Sequence, residues 1–195
     1  MSILVIDFET TGLVKEGVTD FLAQPGICQI GAVILDRGIG PNVGGSHTVG
    51  EWNFDGQLES FINPEIAQWE AGAIKVHGLS PEKVRDEPTF FEFFPKLAAF
   101  AKGCSHWAGY NTKFDRDVLW FQLLRYGFER NFPWPPGEID VMQLAARRLN
   151  IQGKRGQKWP KLVDAYTEVF GKSYEGAHDA LADVRATGEL LAKWL

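Results

Sequence analysis

The stretch ILVIDFETTG, residues 3–12, decides how the rest of the chain is interpreted. Four aliphatic residues run into Asp7, Phe8 and Glu9, which two threonines and Gly12 follow. A short apolar run that ends in a turn signal is typical of a buried strand. Because successive side chains of a strand point to opposite faces, we expect Asp7 and Glu9 to point the same way.

Two neighbouring carboxylates at the end of a buried strand repel each other unless a positive charge lies between them. A hard divalent cation prefers oxygen ligands and would supply that charge. An isolated Asp-x-Glu pair is also compatible with two solvated acids at a strand end. The choice between these interpretations depends on the acids further along the chain.

The composition is that of a globular protein. Of the 195 residues, 45% are hydrophobic and 23% are charged, which argues against disorder and predicts a single domain over residues 1–195. Cys28 and Cys104 lie in apolar stretches, which predicts buried thiols and a reducing, cytoplasmic location. No stretch approaches the roughly 20 apolar residues of a membrane span, so we expect no membrane association.

The charge pattern alone gives no clear nucleic-acid surface. The net charge is −5, which does not favour a broad basic face. Divalent ions bound by several acids would cancel much of this charge, so an acidic composition does not exclude a phosphate-bearing substrate. The loop at 150–160 carries Lys154, Arg155, Lys158 and Trp159, a set that can track a single strand or simply be solvated.

The order of apolar patterns predicts the fold class. Strands are predicted at 3–6, 27–36, 51–62, 104–110 and 138–140, and helices at 64–76, 90–101, 112–126, 141–149, 161–170 and 179–194. Three strands followed by alternating helices and strands favour a mixed sheet covered by helices, an α/β layered fold. Gly31 within the second strand indicates close approach of a neighbour or a bulge. The glycine-rich segment 37–50 is predicted to be a long hairpin tip.

A further acid, Asp115, lies where a strand turns into a helix. It falls in the first turn of that helix, where the helix dipole favours a carboxylate. A role limited to this dipole is as simple an interpretation as a role in a metal site.

The last predicted helix carries the fourth acid and a histidine. Asp179 is a plausible N-cap, Asp183 lies about one turn inside the helix, and His178 precedes it on a loop. A rigidly held acid suits a metal ligand. A histidine that titrates near neutrality suits a base that activates water, although a lone histidine at a helix start is often only a surface residue.

Taken together, these motifs resemble those of the DEDDh branch of the DnaQ-like 3′–5′ exonucleases. Residues 7–13 resemble the first motif of that family, residues 109–115 the second and residues 178–183 the third, and residues 76–81 are similar to the segment after its third strand. Each motif is weak alone, but three in order over nearly the whole chain are specific. The glycine-rich segment 37–50 is longer than the family pattern, and its role stays open.

The resemblance implies a ribonuclease H-like fold with a five-stranded mixed sheet whose second strand is antiparallel to the rest. It also implies two divalent ions, Mg²⁺ or Mn²⁺, held by Asp7, Glu9, Asp115 and Asp183, with His178 as the general base. The implied activity is hydrolysis of single-stranded nucleic acid from its 3′ end, with DNA favoured over RNA.

The resemblance extends to substrate contacts and partners. It places the terminal nucleotide near Thr10, Thr11, Gly12 and Leu13, and we add Asn111 as a further candidate contact. Packing of Leu13 in the core is an equally simple interpretation. Because the family includes a polymerase proofreading subunit, a polymerase or another protein is a candidate partner. The alternatives are an exoribonuclease with the same site and, in a different class, a catalytically silent nucleic-acid-binding module.

Overall fold

The computed structural model describes residues 1–39, 49–153 and 156–195. Most of the predicted hairpin tip at 37–50, and Lys154 and Arg155 of the predicted basic loop, lie outside the described residues.

A five-stranded mixed sheet forms the centre of the fold. Its strands are β1 (Ser2–Thr10), β2 (Ile27–Ile39), β3 (Val49–Phe61), β4 (His106–Gly109) and β5 (Gly137–Asp140). They lie in the order β3-β2-β1-β4-β5, with β2 antiparallel to β1 and β3, and with β4 parallel to β1 and β5. This is the predicted ribonuclease H-like arrangement, and the prediction of fold class is confirmed.

Seven helices are described. They are α1 (Ala71–His77), α2 (Pro81–Val84), α3 (Phe90–Ala101), α4 (Thr112–Tyr126), α5 (Val141–Leu149), α6 (Leu162–Phe170) and α7 (Ala180–Trp194). A 3-10 turn at Phe21–Ala23 and a two-residue pairing of β6 (Gln152–Gly153) with β7 (Gly156–Gln157) complete the described elements.

The alternation of side chains along β1 divides the core into two layers. Leu4, Ile6 and Phe8 pack with α3 and α4 on one face of the sheet. Ile3 and Val5 pack with α5, α6 and α7 on the other. Residues Ile3–Ile6 are fully buried between the two layers, so this part of β1 is covered on both faces and its register is fixed.

The helix predicted at 64–76 begins later than predicted, at Ala71. Glu65 has a left-handed backbone with φ 53°, and its N–H donates to Asn63 Oδ1 at 3.0 Å. The Glu70 N–H donates to Thr11 O at 2.8 Å. The first bond closes a local turn and the second ties Glu70 to the turn after β1, and the helical spacing of the residues reveals neither.

Gly31 marks the closest approach between β2 and α7. A Cβ placed on Gly31 would lie 2.3 Å from the carbonyl carbon of Ala180, the first residue of α7. Only a residue without a side chain allows the helix start to sit this close to the strand. Close approach of a neighbour was one of the two predictions made for Gly31, and it is confirmed.

Two further observations bear on predictions from composition. Cys28 and Cys104 are both buried free thiols. Within the described parts of the chain, no helix is long and apolar enough to cross a bilayer.

Replacing Gly31 with alanine should destabilise the protein by about 1–3 kcal/mol. The added methyl group would collide with backbone atoms of Ala180, which can move aside only if the start of α7 moves. Urea unfolding of the variant would measure the loss. The matched control is Gly72→Ala on exposed α1, where a Cβ meets nothing within 4 Å and should gain about 0.5–1 kcal/mol. A Gly31→Ala variant as stable as the wild type would show that α7 can move away from β2.

Candidate active site

Asp7 and Glu9 lie on the face of β1 that α7 covers. They share the face of Ile3 and Val5, which pack against α7, whereas Leu4, Ile6 and Phe8 face α3 and α4. The predicted common orientation of the two acids is therefore confirmed. The strand continues through both acids to Thr10, so the carboxylates stand on a regular strand rather than beyond its end.

Asp183 completes a group of three acids near the C-terminal end of β1. One carboxylate oxygen from each of Asp7, Glu9 and Asp183 lies within 4.8 Å of the other two. Asp183 reaches this position from the first turn of α7, next to the contact between Ala180 and Gly31. Three carboxylates this close form a natural set of oxygen ligands for a hard divalent cation.

Asp115 lies beside this trio, on the first turn of α4. Its side chain is buried, and its charge raises the pKa of Asp7. The backbone N–H groups near the carboxylate, at Phe8 and Asp115, lower its pKa in part, while Oδ1 has no hydrogen-bond partner. An unpaired buried carboxylate oxygen is costly in a protein, and a bound cation would satisfy it. The residues present therefore fit a divalent metal.

Burial and mutual repulsion set the electrostatics of the four acids. Burial is the main cause that raises the pKa of Asp7, Asp115 and Asp183, with repulsion by neighbouring acids adding to it. Burial, with repulsion by Asp183 and Asp179, raises the pKa of Glu9 from 4.5 to about 8. A site in which four carboxyls resist ionisation is one that favours added positive charge.

His178 lies beside Asp183 on the loop that enters α7. It is exposed and has a left-handed backbone with φ 69°. The backbone N of His178 lies 3.4 Å from Oδ1 and 3.3 Å from Oδ2 of Asp183. Positive charge on the imidazole lowers the pKa of Asp183. The exposed imidazole is thus placed next to the acid cluster and is open to solvent.

Gln29, which sequence reasoning did not single out, anchors the start of α7 through Asp179 and Ala180. The buried Gln29 on β2 donates to Asp179 Oδ2 at 2.7 Å and accepts from the Ala180 N–H at 3.3 Å. Asp179 also accepts from the Ala182 N–H at 3.0 Å, which confirms it as the N-cap. The available signal was a glutamine inside an otherwise apolar strand.

Tyr174 is a second residue that sequence reasoning missed. Its hydroxyl donates to Asp183 Oδ1 at 2.7 Å. A tyrosine in a connecting segment, nine positions before the acid, gives no periodic signal, and only the tertiary structure reveals the contact.

The turn at residues 10–13 is held rigidly beside the acids. Thr10 Oγ1 donates to Gly12 O at 2.7 Å, and Thr11 Oγ1 accepts from the Gly26 N–H at 3.0 Å. His77 Nε2 bonds Thr10 O at 3.1 Å, while His77 Nδ1 accepts from the Leu79 N–H at 3.0 Å. Since Nδ1 is the acceptor, Nε2 carries the hydrogen, and the neutral tautomer is fixed.

Leu13 and Asn111 are the exposed members of the predicted substrate set. Leu13 is 70% exposed, so the alternative that it packs in the core is wrong. Asn111 is exposed and occupies the N-cap of α4 with a left-handed backbone, φ 80°. Thr10 and Thr11 are buried, and their hydroxyls are used within the turn. This leaves backbone atoms of the turn, rather than the threonine hydroxyls, for a ligand.

A cleft of about 810 Å³ opens beside this turn. Thr11, Gly12 and Leu13 line one part of it, and residues 64–70 line another. The four acids are not among its lining residues, so the cleft adjoins the acid cluster through the turn at 10–13.

A ribonuclease H-like sheet with acids gathered on β1, α4 and α7 defines a nuclease-type site, and the family comparison agrees. The exonuclease family model RNase T matches residues 4–191. The chain therefore belongs to this exonuclease family, which confirms the family predicted from the three motifs.

One sequence relative matches part of this chain. An uncharacterised exonuclease, CP81, of Escherichia phage 186 is 35% identical over 124 residues, 60% of this chain and 62% of that protein. The chain thus matches somewhat less than two thirds of that relative's length.

Solved structures share the fold. The nuclease domain of 3′hExo, a DEDDh family member bound to rAMP, has a TM-score of 0.67 at 19% identity. The superposition covers 98% of this chain and 90% of that structure's chain. Exonuclease I of E. coli in complex with a dA16 oligonucleotide has a TM-score of 0.72 at 21% identity, over 98% of this chain and 40% of its own.

The raised pKa of Glu9 predicts how the stability of the metal-free protein depends on pH. The folded state holds this proton up to about pH 8, whereas a free glutamate loses it near 4.5. The folded state therefore binds more protons across this window, and the free energy of unfolding should fall as pH rises through it. In EDTA we expect the melting temperature to drop by several degrees between pH 5 and pH 8.

The variant Glu9→Gln should flatten this profile, whereas Glu51→Gln at an exposed position on β3 should leave it unchanged. Added Mg²⁺ should raise the melting temperature more at pH 8 than at pH 5, because bound cations replace the protons. A melting temperature in EDTA that rises over this range would contradict the assignment.

Proposed function

We propose that this protein is a metal-dependent 3′–5′ exonuclease that removes nucleoside 5′-monophosphates from the 3′ end of single-stranded nucleic acid. Residues 1–195 would act as one exonuclease domain, which the family match over residues 4–191 supports. The observation that carries the proposal is the convergence of Asp7, Glu9 and Asp183 within 4.8 Å, with buried Asp115 alongside.

The proposed ligands are these four acids, and the proposed cations are two Mg²⁺ or Mn²⁺ ions. When bound, such ions would neutralise charge on the scissile phosphate and on the leaving oxygen and make an attacking water more acidic. The unpaired Asp115 Oδ1 and the raised pKa values of the acids support this donor set.

His178 is the proposed general base. In the hydrolysis, a bond forms between the water oxygen and phosphorus, the bond from phosphorus to the 3′ oxygen breaks, and the water proton passes to the imidazole. The exposed ring beside Asp183 can both take this proton and release it to solvent.

The rigid turn at residues 10–13 is the proposed site of the terminal nucleotide. Its backbone would approach the sugar and phosphate, and exposed Leu13 would pack on a base. Asn111 would add a polar contact from the start of α4. The cleft between the turn and residues 64–70 would hold a further part of the strand.

The solved structures of similar fold hold both deoxyribonucleotide and ribonucleotide ligands. Exonuclease I is bound to a dA16 oligonucleotide and 3′hExo to rAMP. We favour DNA as the substrate, and an exoribonuclease with the same site is the second candidate. Discrimination between them depends on contacts to the 2′-OH.

The deciding experiment uses 5′-labelled single-stranded DNA, duplex DNA and RNA, each with Mg²⁺, Mn²⁺ or EDTA. We expect a ladder that shortens from the 3′ end, requires metal and is fastest on single-stranded DNA. Faster RNA cleavage would select the exoribonuclease. No cleavage of any substrate with either metal would contradict the proposed activity.

Two variants test the assigned roles on the best substrate. Asp183→Asn should abolish measurable cleavage, whereas Asp86→Asn at an exposed position should retain it. His178→Ala should lower kcat by about 10²–10⁴-fold, because only the proton acceptor is lost. Calorimetry should show that His178→Ala still binds Mn²⁺, and a collapse of metal binding would contradict a pure base role.

A further inference from the structure

Tyr174 reaches the acid cluster from the segment between α6 and α7. Its hydroxyl donates to Asp183 Oδ1 at 2.7 Å, and its ring is half-buried. The ring packs edge-on against buried Tyr166, with 5.2 Å between centroids and 67° between planes. Packing on a buried ring restricts the rotamer of Tyr174 and therefore fixes the direction of its O–H.

The hydrogen bonds to Asp183 are unequal. Oδ1 accepts the short bond from Tyr174 and a long one of 3.4 Å from the His178 N–H, while Oδ2 has the His178 N–H at 3.3 Å. A short bond to a charged acceptor is about twice as strong as a neutral one. Oδ1 is therefore the anchored oxygen, and Oδ2 is the oxygen with more remaining capacity to accept a cation.

We infer that Tyr174 is a positioning residue: its hydroxyl holds Asp183 in the orientation in which that acid binds a divalent cation through one oxygen. This inference rests on the proposed function, since it concerns the same metal site. Tyr174 does not touch substrate or the reacting atoms in this assignment, and it acts only through Asp183.

Repulsion within the trio of Asp7, Glu9 and Asp183 explains why Asp183 needs a hydrogen bond that fixes its orientation. Carboxylate oxygens of Asp7 and Glu9 lie within 4.8 Å of one of Asp183, and when these acids are ionised with no cation bound, their charges push the Asp183 carboxylate outward. Without the Tyr174 hydroxyl, the metal would have to bring that carboxylate back. The hydroxyl also withdraws some electron density from the ligand. The effect of a neutral donor on basicity is smaller than the benefit of a fixed ligand, and removing such supporting contacts typically weakens metal binding 10–100-fold.

The test compares two tyrosine-to-phenylalanine variants of the full chain. Tyr174→Phe removes the hydroxyl from Asp183. Tyr166→Phe removes a hydroxyl of the same kind, which donates to Glu189 Oε2 at 2.5 Å, outside the trio. Mn²⁺ titration by calorimetry, without substrate, gives the affinity, and thermal melting in EDTA confirms that each variant is folded.

We expect Tyr174→Phe to bind Mn²⁺ about tenfold more weakly than the wild type, and Tyr166→Phe to bind it as the wild type does. In cleavage assays Tyr174→Phe should require about tenfold more Mn²⁺ for half-maximal rate, with kcat at saturating Mn²⁺ within a few-fold of the wild type.

Three results would overturn the inference. Unchanged Mn²⁺ affinity in Tyr174→Phe would show that Asp183 needs no such hydrogen bond, and equal weakening in Tyr166→Phe would indicate a general packing effect. A large loss of kcat at saturating Mn²⁺ with intact affinity would place Tyr174 in the chemistry itself. A wild type that binds no Mn²⁺ would instead refute the proposed function, so the two failures are distinguishable.

Discussion

The close contact between Gly31 on β2 and the start of α7 is the constraint on which the site depends. Asp183 sits one turn along α7, so its distance from the acids of β1 is set by how closely the helix approaches the sheet. Gln29 secures the same contact by bonding both Asp179 and the Ala180 N–H. Any larger side chain at position 31 would move the third acid away from the other two.

Gathering these acids in one site lowers the stability of the folded state, and packing elsewhere in the fold has to offset that loss. Four carboxyls with raised pKa values repel one another and oppose folding while they are ionised and no cation is bound. The apolar layers on both faces of β1 provide the opposing free energy and a fixed register. Asp7 and Glu9 stand on β1, whose backbone is held between these two layers and cannot move to relieve the repulsion.

Much of this arrangement could be predicted from the sequence because it follows local rules. Alternation along β1 gave the shared face of Asp7 and Glu9, and the capping pattern gave the start of α7 at Asp179. The order of strands and helices gave the fold class. These features depend on near neighbours in sequence, so spacing alone carries them.

The features that could not be predicted are contacts between distant parts of the chain. The helix expected at 64–76 is shortened by a turn in which Glu65 bonds Asn63 and by the bond from the Glu70 N–H to distant Thr11 O, which override helical spacing. Tyr174, Gln29 and the exposure of Leu13 likewise depend on tertiary packing. A motif identifies which residues carry the chemistry, but it does not identify which residues hold them in place.

In the proposed mechanism, Asp183 is the point at which metal binding and proton transfer would be coupled. His178 has an unfavourable left-handed backbone, and its N–H bonds to Asp183 help to hold it there. The same carboxylate is the acid of α7 that would bind a cation. Withdrawal of Asp183 would therefore release both a ligand and the loop that carries the base. A proposed base on a strained loop would stay oriented only while that acid stays in place, so the proposed proton acceptor would depend on the integrity of the proposed metal site.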